Sequence, residues 1–143
     1  MAVRTAHARW EGTLVEGTGT VDTESKALVA DYSSKSRFEE GAGTNPEELL
    51  GAAHAACFSM ALAHGLAEAE HKAISVDTTA RVTIKPVEGG FAITGIALLC
   101  EAVVPGISEA DFQAAAEATK AGCPVSKALA SVPITLSAAL TSA

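Results

Sequence analysis

The chain has 143 residues, 48% of them hydrophobic and 19% charged. That composition suits a single folded unit, residues 1–143, with a buried core and excludes a disordered chain. Aromatic residues make up only 4%, so the core must come from Ala, Val, Leu and Ile, which allow close approach and packing that continues across a subunit interface. Ten Lys and Arg against seventeen Asp and Glu give a net charge of −7. The sequence has no basic cluster, which argues against a nucleic-acid partner and against polybasic membrane attachment.

Met1–His7 has no apolar core behind its charge, so a cytoplasmic rather than exported protein is expected. The first thirty residues read as extended structure: Ala6–Gly12 and Gly19–Thr23 alternate small or apolar with polar residues between glycines. Asp31–Gly43 is polar and reads as a loop. A helix then opens at Thr44-Asn45-Pro46-Glu47-Glu48, with Asn45 as N-cap, Pro46 in the first helical position and two acids facing the positive helix end. It should run to about Ala67. Leu49–Ala67 is apolar enough to raise the question of a membrane span, but His54, Ser59 and His64 interrupt it and glutamates flank it, so a helix buried at the centre of the molecule is expected.

Two strands follow, Ser75–Pro86 and Phe91–Val104, joined by a hairpin at Glu88-Gly89-Gly90; the second is expected to be covered on both faces. Ser108-Glu109-Ala110-Asp111 caps a helix ending near Gly122. Pro124 restarts a short helix to about Ala130, and Val132–Leu140 forms a closing strand. The order β-β-α-β-β-α-α-β with hairpins predicts an α+β fold, not a doubly wound parallel sheet.

Three cysteines, Cys57, Cys100 and Cys123, are too few and too scattered for a secreted disulfide framework. Cys57 falls mid-helix, where free cysteine is ordinarily a small core residue. Cys123 lies where one helix ends and the next begins, and backbone N–H groups there favour a thiolate. Whether two cysteines 66 positions apart meet depends on the fold. Cys100, within Leu98-Leu99-Cys100, reads as core. His54 and Cys57 share a helix face, which admits two other readings: a zinc site completed by Cys123 or His64, and a Cys–His hydrolase with His54 as base. The usual ligand spacings and an oxyanion-hole signature are both missing from the sequence. Arg37 in the polar loop and Glu47 in the first helical turn do not stand out by composition.

Residues Gly43–Leu62, with Asn45-Pro46-Glu47 and Cys57, closely resemble the active-site helix of the osmotically inducible protein C (OsmC) family. Ala121–Ser126 resembles its second cysteine motif, and Ala8–Gly12, Ser36-Arg37-Phe38, Ser75–Ala80 and Gly90–Thr94 match it along nearly the whole chain. The resemblance implies an intertwined homodimer of α+β subunits, with mainly antiparallel sheets around a buried central helix. It also implies a thiol-dependent peroxidase acting on organic hydroperoxides and less well on hydrogen peroxide, with no metal or bound organic cofactor. Cys57 would be the peroxidatic cysteine, Cys123 the resolving one, and Arg37 and Glu47 their polar partners. The reductant would be a dithiol, a lipoyl group or a thioredoxin-like protein; Cys100 has no place in the pattern. A binding protein for small hydrophobic molecules is the non-enzymatic alternative.

Residue types give this chemistry a rationale. Arg37 beside Cys57 would favour the thiolate and polarise the O–O bond, and Glu47 would hold the guanidinium in place. Glu47 and Cys57 are ten residues apart on one helix, roughly 15 Å along its axis, so Arg37 and Glu47 are expected to reach Cys57 from the partner subunit. Phe58, Met60 and Leu62 predict an apolar entrance favouring alkyl peroxides.

Overall fold

The computed structural model describes residues 1–142, and the chain divides into two compact units, residues 1–49 and 50–143. The first holds strands β1 (Ala6–Glu11), β2 (Thr18–Thr23) and β3 (Val29–Tyr32) in one antiparallel sheet of that order. Gly19 lies opposite both Trp10 and Tyr32, and their rings meet at 5.3 Å over it. A side chain at Gly19 would strike the Tyr32 ring and lie 2.7 Å from that of Trp10. The polar segment read as a loop instead carries a third strand's end and a short helix, α1 (Ser34–Phe38). Ser33 and Ser36 cap that helix reciprocally, a local arrangement that needs no apolar pattern.

Helix α2 (Pro46–Glu68) begins where expected, the Asn45 side chain accepting from the Glu48 N–H at 2.8 Å. It is the one helix among the described residues long and apolar enough to cross a membrane. Its Phe58, Leu62 and Leu66 are nonetheless fully buried in the core of the second unit. The expected central burial holds for one stripe only. Gly51, His54, Phe58, Leu62 and Leu66 are buried at helical spacing, whereas Ala52, Ala53, Ala56 and Met60 are exposed. Small apolar residues all round the helix hide which face packs within the chain.

The second unit adds β4 (Ser75–Val87), β5 (Gly90–Val103), α3 (Glu109–Gly122), α4 (Pro124–Ala128) and β6 (Ile134–Thr141). β4 and β5 form the expected antiparallel hairpin, turning at Gly89 with φ +85°. β6 pairs parallel with β5, opposite Ile96–Val103, so α3 and α4 form the crossover that parallel pairing requires. The core joins α2 to Ile96, Leu98, Cys100, Ala102 and Val104 of the β5 segment and to Phe112 and Ala116 of α3. β5 is therefore buried on alternate residues: Glu101 is exposed and Ala97 and Leu99 are only half-buried, contrary to the expected double coverage. The fold class is α+β, as expected.

Candidate active site

In the first unit, Arg37 is the fourth residue of α1 and Glu47 the second of α2. The guanidinium donates from Nε to both carboxylate oxygens at 3.2 Å and from Nη2 to Oε1 at 2.8 Å. Asn45 braces the two segments, its side-chain amide donating to the Ser36 carbonyl at 2.9 Å, and the guanidinium also lies 5.2 Å from the Phe38 ring centroid. Glu47 is nearly buried, and Arg37 lines a cleft of about 270 Å³ with Trp10, Leu14, Tyr32, Ser33 and Pro46. Such a pair fixes a permanent positive charge in a rigid, planar orientation.

In the second unit, the fold brings Cys57 of α2 against Cys123, which caps α4. All three cysteines are free thiols, Cys57 half-buried and Cys123 and Cys100 buried. The first two lie close enough to act on each other's ionisation. Burial and the neighbouring Cys123 push the Cys57 thiol up, against the lowering effect of the Val125 N–H. Burial also acts to raise Cys123, but it is outweighed by the Ser126 hydroxyl and N–H, the Cys57 side chain and the Val125 N–H. The Cys123 Sγ accepts from the Ser126 N–H at 3.3 Å, and its thiol donates to Ser126 Oγ at 3.2 Å. Cys100 stands apart in β5, its thiol raised first by burial.

Two residues fall elsewhere than expected. Phe58 and Leu62 belong to the core and line no entrance, so of the three apolar residues named beside the thiol only Met60 is open, at 75% exposure. His54 is completely buried with its Nε2 2.8 Å from Ser126 Oγ. Among the described residues no group of three or more His, Cys, Asp or Glu side chains is arranged to hold a metal ion. Ser126 carries no role in the sequence reading. Its signal was the Cys-Pro-x-Ser spacing, in which an N-cap and the third helical residue face each other.

Two neighbouring free thiols, one held acidic by a hydroxyl and a backbone N–H, supply the chemistry of a thiol-based oxidoreductase. The family model described as OsmC-like protein matches residues 39–137. The chain is 54% identical over 123 residues to peroxiredoxin OsmC of Escherichia coli (strain K12), covering 85% of this chain and 86% of that one. It is 34% identical over 129 residues to the organic hydroperoxide resistance protein of Xanthomonas axonopodis pv. citri (strain 306), covering 87% and 85%. Among solved structures, an organic hydroperoxide resistance protein OsmC from Legionella pneumophila superposes with a TM-score of 0.71 at 25% identity, covering 99% of both chains. OhrB of Bacillus subtilis does so with a TM-score of 0.69 at 25% identity, covering 96% and 98%. The class is thus the peroxiredoxin-type peroxidases. Within it, the chain belongs to the OsmC family.

Proposed function

We propose that the protein is a two-cysteine peroxidase that reduces organic hydroperoxides, and hydrogen peroxide less well, to the corresponding alcohols or water. The observation that carries this reading is the meeting of Cys57 and Cys123, both free, across 66 positions of chain. The names of the relatives at 54% and 34% identity support the peroxide as substrate.

In the first step the Cys57 thiolate attacks one peroxide oxygen. The O–O bond breaks, the alkoxide leaves and takes up a proton, and Cys57 becomes a sulfenic acid. Cys123 then attacks the Cys57 sulfur, the S–O bond breaks, and a Cys57–Cys123 disulfide and water result. An external dithiol, a lipoyl group or a thioredoxin-like protein, reduces the disulfide and completes the cycle.

Cys57 needs help to ionise, because burial and Cys123 push its thiol up. We assign that help to Arg37, oriented by Glu47. Arg37 is tied to the first turn of α2, and the thiol it serves lies roughly 15 Å further along that helix axis. The guanidinium therefore comes from a partner subunit, so the active form is a homodimer, acting in the cytoplasm without metal or bound organic cofactor.

Mass spectrometry after one equivalent of cumene hydroperoxide tests the reading. A Cys57–Cys123 linkage with Cys100 left free is expected. An unoxidised protein, or oxidation confined to Cys100, overturns it.

A further inference from the structure

His54 is a fully buried imidazole that the peroxidase chemistry above leaves without a task. Its Nε2 lies 2.8 Å from the hydroxyl of Ser126, itself 3% exposed, and that hydroxyl lies 3.2 Å from the sulfur of Cys123. The other ring nitrogen, Nδ1, is buried with no hydrogen-bond partner among the described residues. A buried N–H without an acceptor is rarer and costlier than a buried lone pair without a donor. The single proton of the neutral ring therefore sits on Nε2 and is donated to Ser126 Oγ. With that proton accepted, the Ser126 hydroxyl turns its own proton to Cys123 once the thiol ionises, beside the Ser126 N–H already directed at the same sulfur.

We infer that His54 is a positioning residue for the resolving step: acting through Ser126, it keeps a hydroxyl proton on Cys123 and holds that sulfur as the thiolate that attacks oxidised Cys57. This rests on Cys123 being the resolving thiol. The step balances without a proton passing to His54. The S–S bond forms, Cys123 is oxidised and the Cys57 sulfur reduced. The departing hydroxide takes from solvent the equivalent of the proton Cys123 released on ionising. Burial keeps the imidazole below its ordinary value, so it stays neutral in this role. The titratable groups acting on Cys123 are the Cys57 thiol of α2 and, through Ser126, His54. Among charged side chains nearby in sequence, Lys120 of α3 is paired with Glu117 at 2.8 Å and Lys127 of α4 is exposed.

The test is the pH profile of Cys123 alkylation by iodoacetamide, resolved by mass spectrometry. It is measured in the wild-type chain and in His54→Leu, His54→Gln and Ser126→Ala variants, with rapid-quench kinetics of sulfenic acid and disulfide formation. In His54→Leu the Cys123 inflection should rise by about one pH unit, and disulfide formation near neutral pH should slow about tenfold. Sulfenic acid formation on Cys57 should not slow, because a less acidic Cys123 no longer raises Cys57. Gln keeps a side-chain N–H near the position of Nε2 and should restore most of the wild-type profile; Ser126→Ala should match or exceed the effect of Leu. A folded His54→Leu protein with the wild-type profile overturns the inference. Should that variant not fold, imidazole ¹⁵N shifts of the wild-type protein decide: a proton on Nδ1 overturns it and a proton on Nε2 supports it. If the wild-type chain forms no Cys57 sulfenic acid with cumene hydroperoxide, the peroxidase reading fails, while the alkylation profile still judges the link from His54 to Cys123.

Discussion

Arg37 grips Glu47 through two different nitrogens, Nε and Nη2, so the guanidinium plane is fixed as well as its position. The Glu47 side chain is 8% exposed and that of Arg37 34%. Removing the arginine would strand a nearly buried carboxylate. Because the arginine is a third open to solvent, Arg37→Ala should cost about 1–3 kcal/mol, below the range for fully buried pairs. Arg37→Lys keeps the charge but not the fork, so turnover should fall at least about tenfold with a smaller loss of stability. Urea midpoints and steady-state rates check both. Full turnover in Arg37→Lys would remove the orienting role assigned to Glu47.

The three cysteines should separate cleanly. Cys57→Ser should abolish turnover. Cys123→Ser should allow a single oxidation of Cys57 and then, with excess peroxide, drive it to sulfinic acid, since no neighbouring thiol traps the sulfenic state. Cys100, buried at 2% exposure in β5, should tolerate Cys100→Ala at a cost of about 1 kcal/mol with turnover retained. Intact-mass measurements after titration with peroxide distinguish these cases. Retained turnover in Cys57→Ser would move the chemistry to another residue.

Burial of His54 links stability to pH with a definite sign. Its folded value lies below its ordinary 6.5, so between the two the unfolded chain binds more protons. Stability is then full above 6.5 and is lost as pH falls from there toward the folded value. Urea midpoints measured from about pH 8 to pH 5 should drop through the acidic half of that range, and the His54→Gln protein should drop less. Parallel profiles in the two proteins would show that the imidazole does not titrate in this window.

Substrate preference should follow the open part of α2. Met60, Ala53 and Ala56 are exposed on the helix that carries Cys57, and each methylene buried against such a surface contributes roughly 0.8 kcal/mol. kcat/KM for cumene hydroperoxide should exceed that for hydrogen peroxide by an order of magnitude or more, roughly what two buried methylenes supply. Equal values would remove the apolar entrance from the account.

In the first unit, Gly19→Ala should be destabilising. The new methyl group would run into the ring of Tyr32 and lie 2.7 Å from that of Trp10, and overpacking of this kind costs about 1–3 kcal/mol. Loss of near-ultraviolet circular dichroism from the Trp10–Tyr32 pair, together with a lower Tm, is the expected signature.

What could be read from the sequence was local. Asn45-Pro46-Glu47 announces the start of α2 because capping is settled within four residues, and the Glu88-Gly89-Gly90 hairpin is equally self-contained. The short helix at Ser34–Phe38 escaped because it rests on a serine capping box in a polar stretch, with no apolar stripe to mark it. The parallel seating of β6 on β5 depends on register between distant segments, which alternation alone does not encode. The same holds at the site. Cys123 carried a local signal at the start of α4, whereas Cys57 read locally as a core residue and stood out only through the family resemblance; neither their meeting nor the contact between His54 and Ser126, 72 positions apart, had a local signal. His54 shares a helix face with Cys57, which suggested a base or a ligand, yet its ring engages the segment beside the other cysteine.

The parallel pairing of β6 with β5 has a consequence for biosynthesis. Cys123 sits in the crossover between those strands, and no backbone ladder closes that crossover until Ile134–Thr141 has joined β5. On the ribosome, Cys57 emerges 66 residues ahead of Cys123 and more than 75 ahead of the strand that seats the crossover. A nascent chain thus spends part of its synthesis with the first thiol made and its neighbour not yet latched beside it, more open to oxidative damage than the finished protein.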